Sequence, residues 1–195
     1  MEDDERQERR NTFLLYLAFV TLLVLVVGTA VPHMAEGSVR EYERRAERDP
    51  DGIHMKGMSP RDLGPETSDR AILFVHGFSG SPNNYNDLPD FLARDGWRVR
   101  CMVVAGHGTN PHDFEVATGD EMLSSVLAEL RTLKAKYKRV ALVGHSLGGA
   151  LVTLAAAQEP VDALILCAPF YGLQFDERSP IALASLANVI APILR

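Results

Sequence analysis

Cysteine is scarce: the 195 residues hold two, Cys101 and Cys167. That excludes a disulfide framework, and no CxxC spacing offers a zinc site. Both thiols lie in apolar runs and are read as buried and free. Basic residues are also too few for one whole class of function. Twenty Lys and Arg stand against 26 Asp and Glu, a formal charge of −6. No basic face is available to replace phosphate counterions, so nucleic acid is excluded as a partner. There is no internal repeat and no low-complexity segment. With 46% hydrophobic and 24% charged residues, a packed core is affordable and wholesale disorder is not expected.

Charge is missing altogether from Thr12 to Val31, in "TFLLYLAFVTLLVLVVGTAV". Twenty helical residues rise about 30 Å, the thickness of a bilayer's hydrocarbon core. The run is longer than the ~7–15 residues of a signal-peptide core, so it is read as an uncleaved single-pass anchor. The competing reading is a signal peptide cut near Gly28-Thr29-Ala30. Three arginines precede the span (Arg6, Arg9, Arg10) and four follow (Arg40, Arg44, Arg45, Arg48), which leaves the orientation undecided. The expected organisation is a charged tail over 1–11, the anchor over 12–31 ending at Pro32, and a juxtamembrane spacer over 32–65. A folded α/β domain then occupies 66–195. In the spacer, dense mixed charge reads as a solvated helix stopped by Asp49-Pro50-Asp51-Gly52, and the turn-rich stretch after it has room for one short strand.

From Ala71 the rhythm alternates. Strands are predicted at 71–75, 98–104, 139–144 and 162–168. Helices are predicted up to Gly96, over 119–137 and after Gly144. In the second of these, Met122, Val126, Leu127, Leu130 and Leu133 recur at helical spacing. Such alternation implies an α/β fold with a mainly parallel sheet covered on both faces.

Gly144-His145-Ser146-Leu147-Gly148 is G-x-S-x-G between a strand and a helix, the context that motif requires. The tight corner projects the serine hydroxyl, and side chains two positions to either side would collide with neighbouring backbone. The helix start offers the Leu147 N–H to a developing oxyanion. "LFVHGFSGSP" places His76-Gly77-Phe78 just after the first clear strand, where the Phe78 N–H suits a second oxyanion donor. His76 is read as a structural histidine bonding that loop. His107 and His112, in "AGHGTNPHDF", are read as loop histidines rather than metal ligands, since no acidic or cysteine cluster accompanies them.

Together "HGFSGSP", "GHGTNP", "GHSLGG" and "LCAPFYG", over about Ala71 to Gly172, resemble the α/β-hydrolases. More narrowly, they resemble the bacterial carboxylesterase and monoacylglycerol-lipase branch. The resemblance implies Ser146 as nucleophile, Phe78 and Leu147 as oxyanion donors, and carboxylic esters as small-molecule substrates. It implies no cofactor and no metal.

The base is missing. All six histidines (33, 54, 76, 107, 112, 145) precede Ser146, whereas in this fold the acid and then the histidine follow the serine. Asp162, at the start of a strand, and Asp176, in the next loop, are poor candidates for the acid. From about residue 174 the chain reads as the start of a cap, with Ile181, Leu183, Leu186, Val189, Ile190 and Ile193 on one apolar face. The expectation is the N-terminal portion of a longer hydrolase, nearly inactive by itself. The alternative is a non-catalytic membrane-tethered module that binds an acyl ligand or a protein partner.

Overall fold

The computed structural model describes residues 2–172, which form two units. The expected cap segment and Asp176 lie outside the described residues. In the first unit, α1 (Glu2–Arg45) is a single helix through the entire apolar run and beyond it. It does not stop at Pro32. Proline in a helix interior removes one N–H and strips the carbonyl four residues earlier of its partner, a local cost that does not have to end the helix. Hydroxyls in the apolar run bond back to the backbone: Thr21 Oγ1 donates to Leu17 O at 2.8 Å and Thr29 Oγ1 to Leu25 O at 2.9 Å. Past Pro32 the chain stays helical on polar support, with ion pairs from Glu36 to Arg40 and from Glu41 to Arg44 and Arg45.

The second unit begins at Ala46. Its five strands are β1 (Arg61–Leu63), β2 (Arg70–Val75), β3 (Arg98–Met102), β4 (Arg139–His145) and β5 (Ala163–Cys167), in the order β1-β3-β2-β4-β5. β1 is the short strand expected in the turn-rich segment and pairs antiparallel with β3; every other pairing is parallel. The helices are α2 (Leu88–Arg94), α3 (Pro111–Val116), α4 (Gly119–Lys136) and α5 (Leu147–Gln158).

Alternation along the central strands sorts the core into two layers. Ala71, Leu73 and Val75 of β2, with Val140 and Leu142 of β4, face α4 and α5. Ile72 and Phe74, with Ala141 and Val143, face Leu92, Ala93 and Trp97 on and just after α2. On α4 the five apolar residues at helical spacing are the buried ones. Arg100 of β3 makes a two-pronged ion pair with Glu129 of α4, at 2.6 and 3.1 Å. Of the two cysteines, Cys101 is buried and burial pushes its thiol up to about 12. Cys167 is exposed, not buried as its apolar run suggested; it ends β5, which is exposed along its whole length.

Candidate active site

Parallel strands β2, β3 and β4 all end on one edge of the sheet, and the loops that follow them bring the singled-out residues together there. The sharpest feature is Ser146. It sits between β4 and α5 with φ 52 and ψ −118, a left-handed conformation that a serine adopts only under constraint. It stands at the N-cap of α5, yet its side chain makes no capping bond, so the hydroxyl is not spent on the helix. Its backbone is tied to the next strand's exit: the Ser146 N–H donates to Cys167 O and the Phe170 N–H donates to Ser146 O, both at 3.0 Å.

The glycines on either side are required by contact. A β-carbon at Gly148 would stand 2.1 Å from Val75 O and 2.4 Å from His76 O. At Gly144 it would stand 2.5 Å from both Gly148 O and Val152 Cγ2. Helix α5 therefore touches the end of β2 backbone to backbone, at the place where β2 turns into the loop of His76-Gly77-Phe78. At Gly77 a β-carbon would be 3.1 Å from Ser146 Cβ, so this loop lies against the serine corner. Among the described residues neither the Phe78 nor the Leu147 N–H has an acceptor.

His76 clamps two loops. Its Nδ1 lies 2.9 Å from Gly77 O and its Nε2 accepts the Val104 N–H at 3.0 Å, which places the proton on Nδ1. Burial, aided by neighbouring His107, lowers it to about 4, so it is neutral at physiological pH. His107 is buried too and held low by burial, with Nδ1 at 3.2 Å from Ala105 O and Nε2 accepting the Ser79 N–H at 3.3 Å. His112 is exposed and pairs with Glu115 on its own helix. Asp162 is a structural anchor: its carboxylate accepts the Val140 N–H at 2.7 Å, and its own N–H donates to Val140 O. Among the described residues no histidine or carboxylate is hydrogen-bonded to Ser146 Oγ, and no cluster could hold a metal ion. Among the described residues the corner thus offers a hydroxyl unused by its helix and, in the adjoining turns, two amides without an acceptor.

The bond of His76 to its own loop, at Gly77 O, agrees with its reading as a structural histidine, whereas the longer-range bonds of His76 and His107 have no signal in the sequence. Each acceptor nitrogen finds a backbone amide 28 positions away, and only the "GHG" flanking His107 hinted at a special loop.

Comparison with known proteins bears on the family and the fold. The family model described as serine aminopeptidase, S33 matches residues 66–195. The thermostable monoacylglycerol lipase of Bacillus sp. (strain H-257) is 33% identical over 89 residues, 46% of this chain and 36% of that one. A carboxylesterase of Bacillus subtilis is 26% identical over 119 residues, 60% of this chain and 48% of its own. The chain spans less than half the length of either relative. Among solved structures, one from work on LipS and LipT, two metagenome-derived lipolytic enzymes, is 30% identical with TM-score 0.57, covering 68% of this chain and 52% of that one. Est1E from Butyrivibrio proteoclasticus with ferulic acid bound is 27% identical with TM-score 0.51, covering 66% and 59% respectively.

Proposed function

Because this chain belongs to the serine aminopeptidase, S33 family and has the fold of the lipase- and esterase-type α/β-hydrolases, we propose that it carries the nucleophile and the oxyanion-binding amides of a serine hydrolase acting on carboxylic esters. Ser146 Oγ attacks the ester carbonyl, and the new C–O bond forms as the ester's C–O bond breaks. The departing alkoxide takes up the serine proton and leaves as the alcohol, and water then cleaves the acyl-enzyme to the acid. The negative charge that develops on the carbonyl oxygen is met by the N–H groups of Phe78 and Leu147, aided by the positive end of α5. Esters are preferred over peptides because the relatives it resembles are named lipases and carboxylesterases.

The observation that carries this reading is the corner itself. A serine at φ 52, its hydroxyl unused by the helix it caps, is held by two glycines that no larger residue could replace. Strain of this kind persists only where the surroundings over-determine it, and it concentrates at functional positions.

Serine needs a partner to take its proton, and none of the described residues fills that role at Ser146. Loss of the base from a serine triad costs roughly 10⁶ in kcat. The 195-residue polypeptide is therefore expected to turn over very slowly. Imidazole supplied in solution replaces the missing base. A fluorophosphonate probe tests both points: labelling should rise with imidazole concentration in the native chain and be absent in Ser146→Ala. Equal labelling of the two proteins overturns the assignment of the nucleophile.

The N-terminal helix belongs to the same proposal. Its length and composition suffice to cross a membrane, and Phe13, Leu15 and Leu22 are exposed along it. We read it as the anchor that holds the hydrolase unit at a membrane surface.

A further inference from the structure

The Gly77–Gly80 segment is a four-residue turn, closed by the Gly80 N–H donating to Gly77 O at 3.0 Å. Of its two central residues only Ser79 has a positive φ, at 52. That is the pattern of a type II turn, whose third position favours glycine because side chains are strained there. The competing type I turn keeps the same closing bond and relieves Ser79. It does so by flipping the Phe78–Ser79 peptide, which would turn the Ser79 N–H the other way.

What opposes the flip is His107. Its Nδ1 proton goes to Ala105 O, which leaves an Nε2 lone pair to accept the Ser79 N–H at 3.3 Å. The ring is buried and fixed edge-to-face between His76 and Phe114, at centroid distances of 5.0 and 4.8 Å. Phe114 in turn meets the Phe78 ring edge-to-face at 4.9 Å. The glycines of the "GHG" stretch explain how the ring is delivered: Gly106 and Gly108, at φ 81 and 75, bend the loop sharply on both sides of the histidine. A histidine that only filled space would need none of this hydrogen-bond alignment.

We propose that His107 is a positioning residue for the loop after β2: by accepting the Ser79 N–H, it locks the Phe78–Ser79 peptide of the Gly77–Gly80 turn in its strained form, and so holds in one shape the loop that carries the Phe78 amide and packs against Ser146 through Gly77. The inference rests on the reading of Phe78 as an oxyanion donor. It adds that the loop after β3 fixes the geometry of the loop after β2.

The test is NMR on the full chain in detergent micelles, with ¹⁵N-labelled histidine, serine and phenylalanine. In the native protein the His107 ring should be the tautomer with its proton on Nδ1, and the Ser79 amide should exchange slowly. His107→Phe keeps an aromatic ring and removes the acceptor; it should speed Ser79 exchange about tenfold or more and move the Phe78 amide resonance. His107→Gln, which restores an acceptor, should recover much of the protection, a rescue that a purely space-filling role would not give. A native ring protonated on Nε2 at neutral pH overturns the inference, and this measurement needs no variant to fold. Unchanged Ser79 exchange in a folded His107→Phe overturns it as well. If the His107 dependence holds but the fluorophosphonate adduct fails to form, or leaves the Phe78 amide unmoved, then the underlying reading of the site falls instead.

Discussion

Ser146, Gly148 and His76 share one small volume, and each responds to substitution for a different physical reason. For Gly148 the reason is space. A methyl group 2.1 Å from Val75 O cannot be accommodated by a side-chain rotation, so α5 must back away from β2. Gly148→Ala is expected to cost about 3 kcal/mol or more, read as a lowered urea midpoint. For His76 the reason is charge. Its folded value is about 4 against an ordinary 6.5, so between those pH values the unfolded chain binds a proton that the folded chain refuses. Stability is therefore full above pH ~6.5, falls as the pH drops toward ~4, and loses nothing more from this residue below that. The change amounts to about 3 kcal/mol, and His76→Asn should flatten that part of a pH series of urea melts while lowering its plateau. At this scale the sequence was a good guide to the tight corner at Ser146 and the crowding at its glycines, because both follow from local spacing. It was silent on the distant partners of His76 and His107, at Val104 and Ser79, because those are set by which loops the sheet brings together.

The elements divide in a similar way. Strands β2 and β4 and helix α4 were legible because a buried strand is a short unbroken apolar run and an amphipathic helix repeats its apolar residues every three or four positions. Helix α4 also announces its start: the Thr118 hydroxyl accepts the Glu121 N–H while the Glu121 carboxylate accepts the Thr118 N–H at 2.8 Å. Thr118→Ala breaks this reciprocal pair and should destabilise the unit by about 1 kcal/mol, with Thr118→Ser restoring most of it in thermal melts. Helix α3 was not foreseen. Its six residues are too few to show a period, although Asn110 capping it and Pro111 opening it are ordinary start signals. The span and the solvated helix expected after it form one continuous helix, α1, because the helix runs through Pro32 instead of ending there.

At the scale of the whole molecule, the proposal joins a helix of membrane-spanning length to a unit that ends its strands on one reactive edge. The full chain is expected to sediment with membranes and resist alkaline carbonate extraction. Each arginine placed at the middle of the apolar run costs about 2.5–3.5 kcal/mol of insertion, so Leu22→Arg combined with Leu23→Arg should release the protein to the soluble fraction. Retention of that double variant in the carbonate-resistant pellet would count against the anchor.

One feature of the reactive edge bears on heat resistance. Ser79, Ser146 and Ala168 are non-glycine residues held at φ 52, 52 and 45, each just beyond the end of a parallel strand. The sheet's interior is relaxed and its rim is tensioned, like a bow whose stave is sound and whose string is drawn. A search for thermostable variants would find easy gains by slackening this rim, for example with glycine at position 79 or 168. Glycine at position 79 also favours the turn form that the His107 bond holds, so that variant should gain heat resistance while making the loop less dependent on His107.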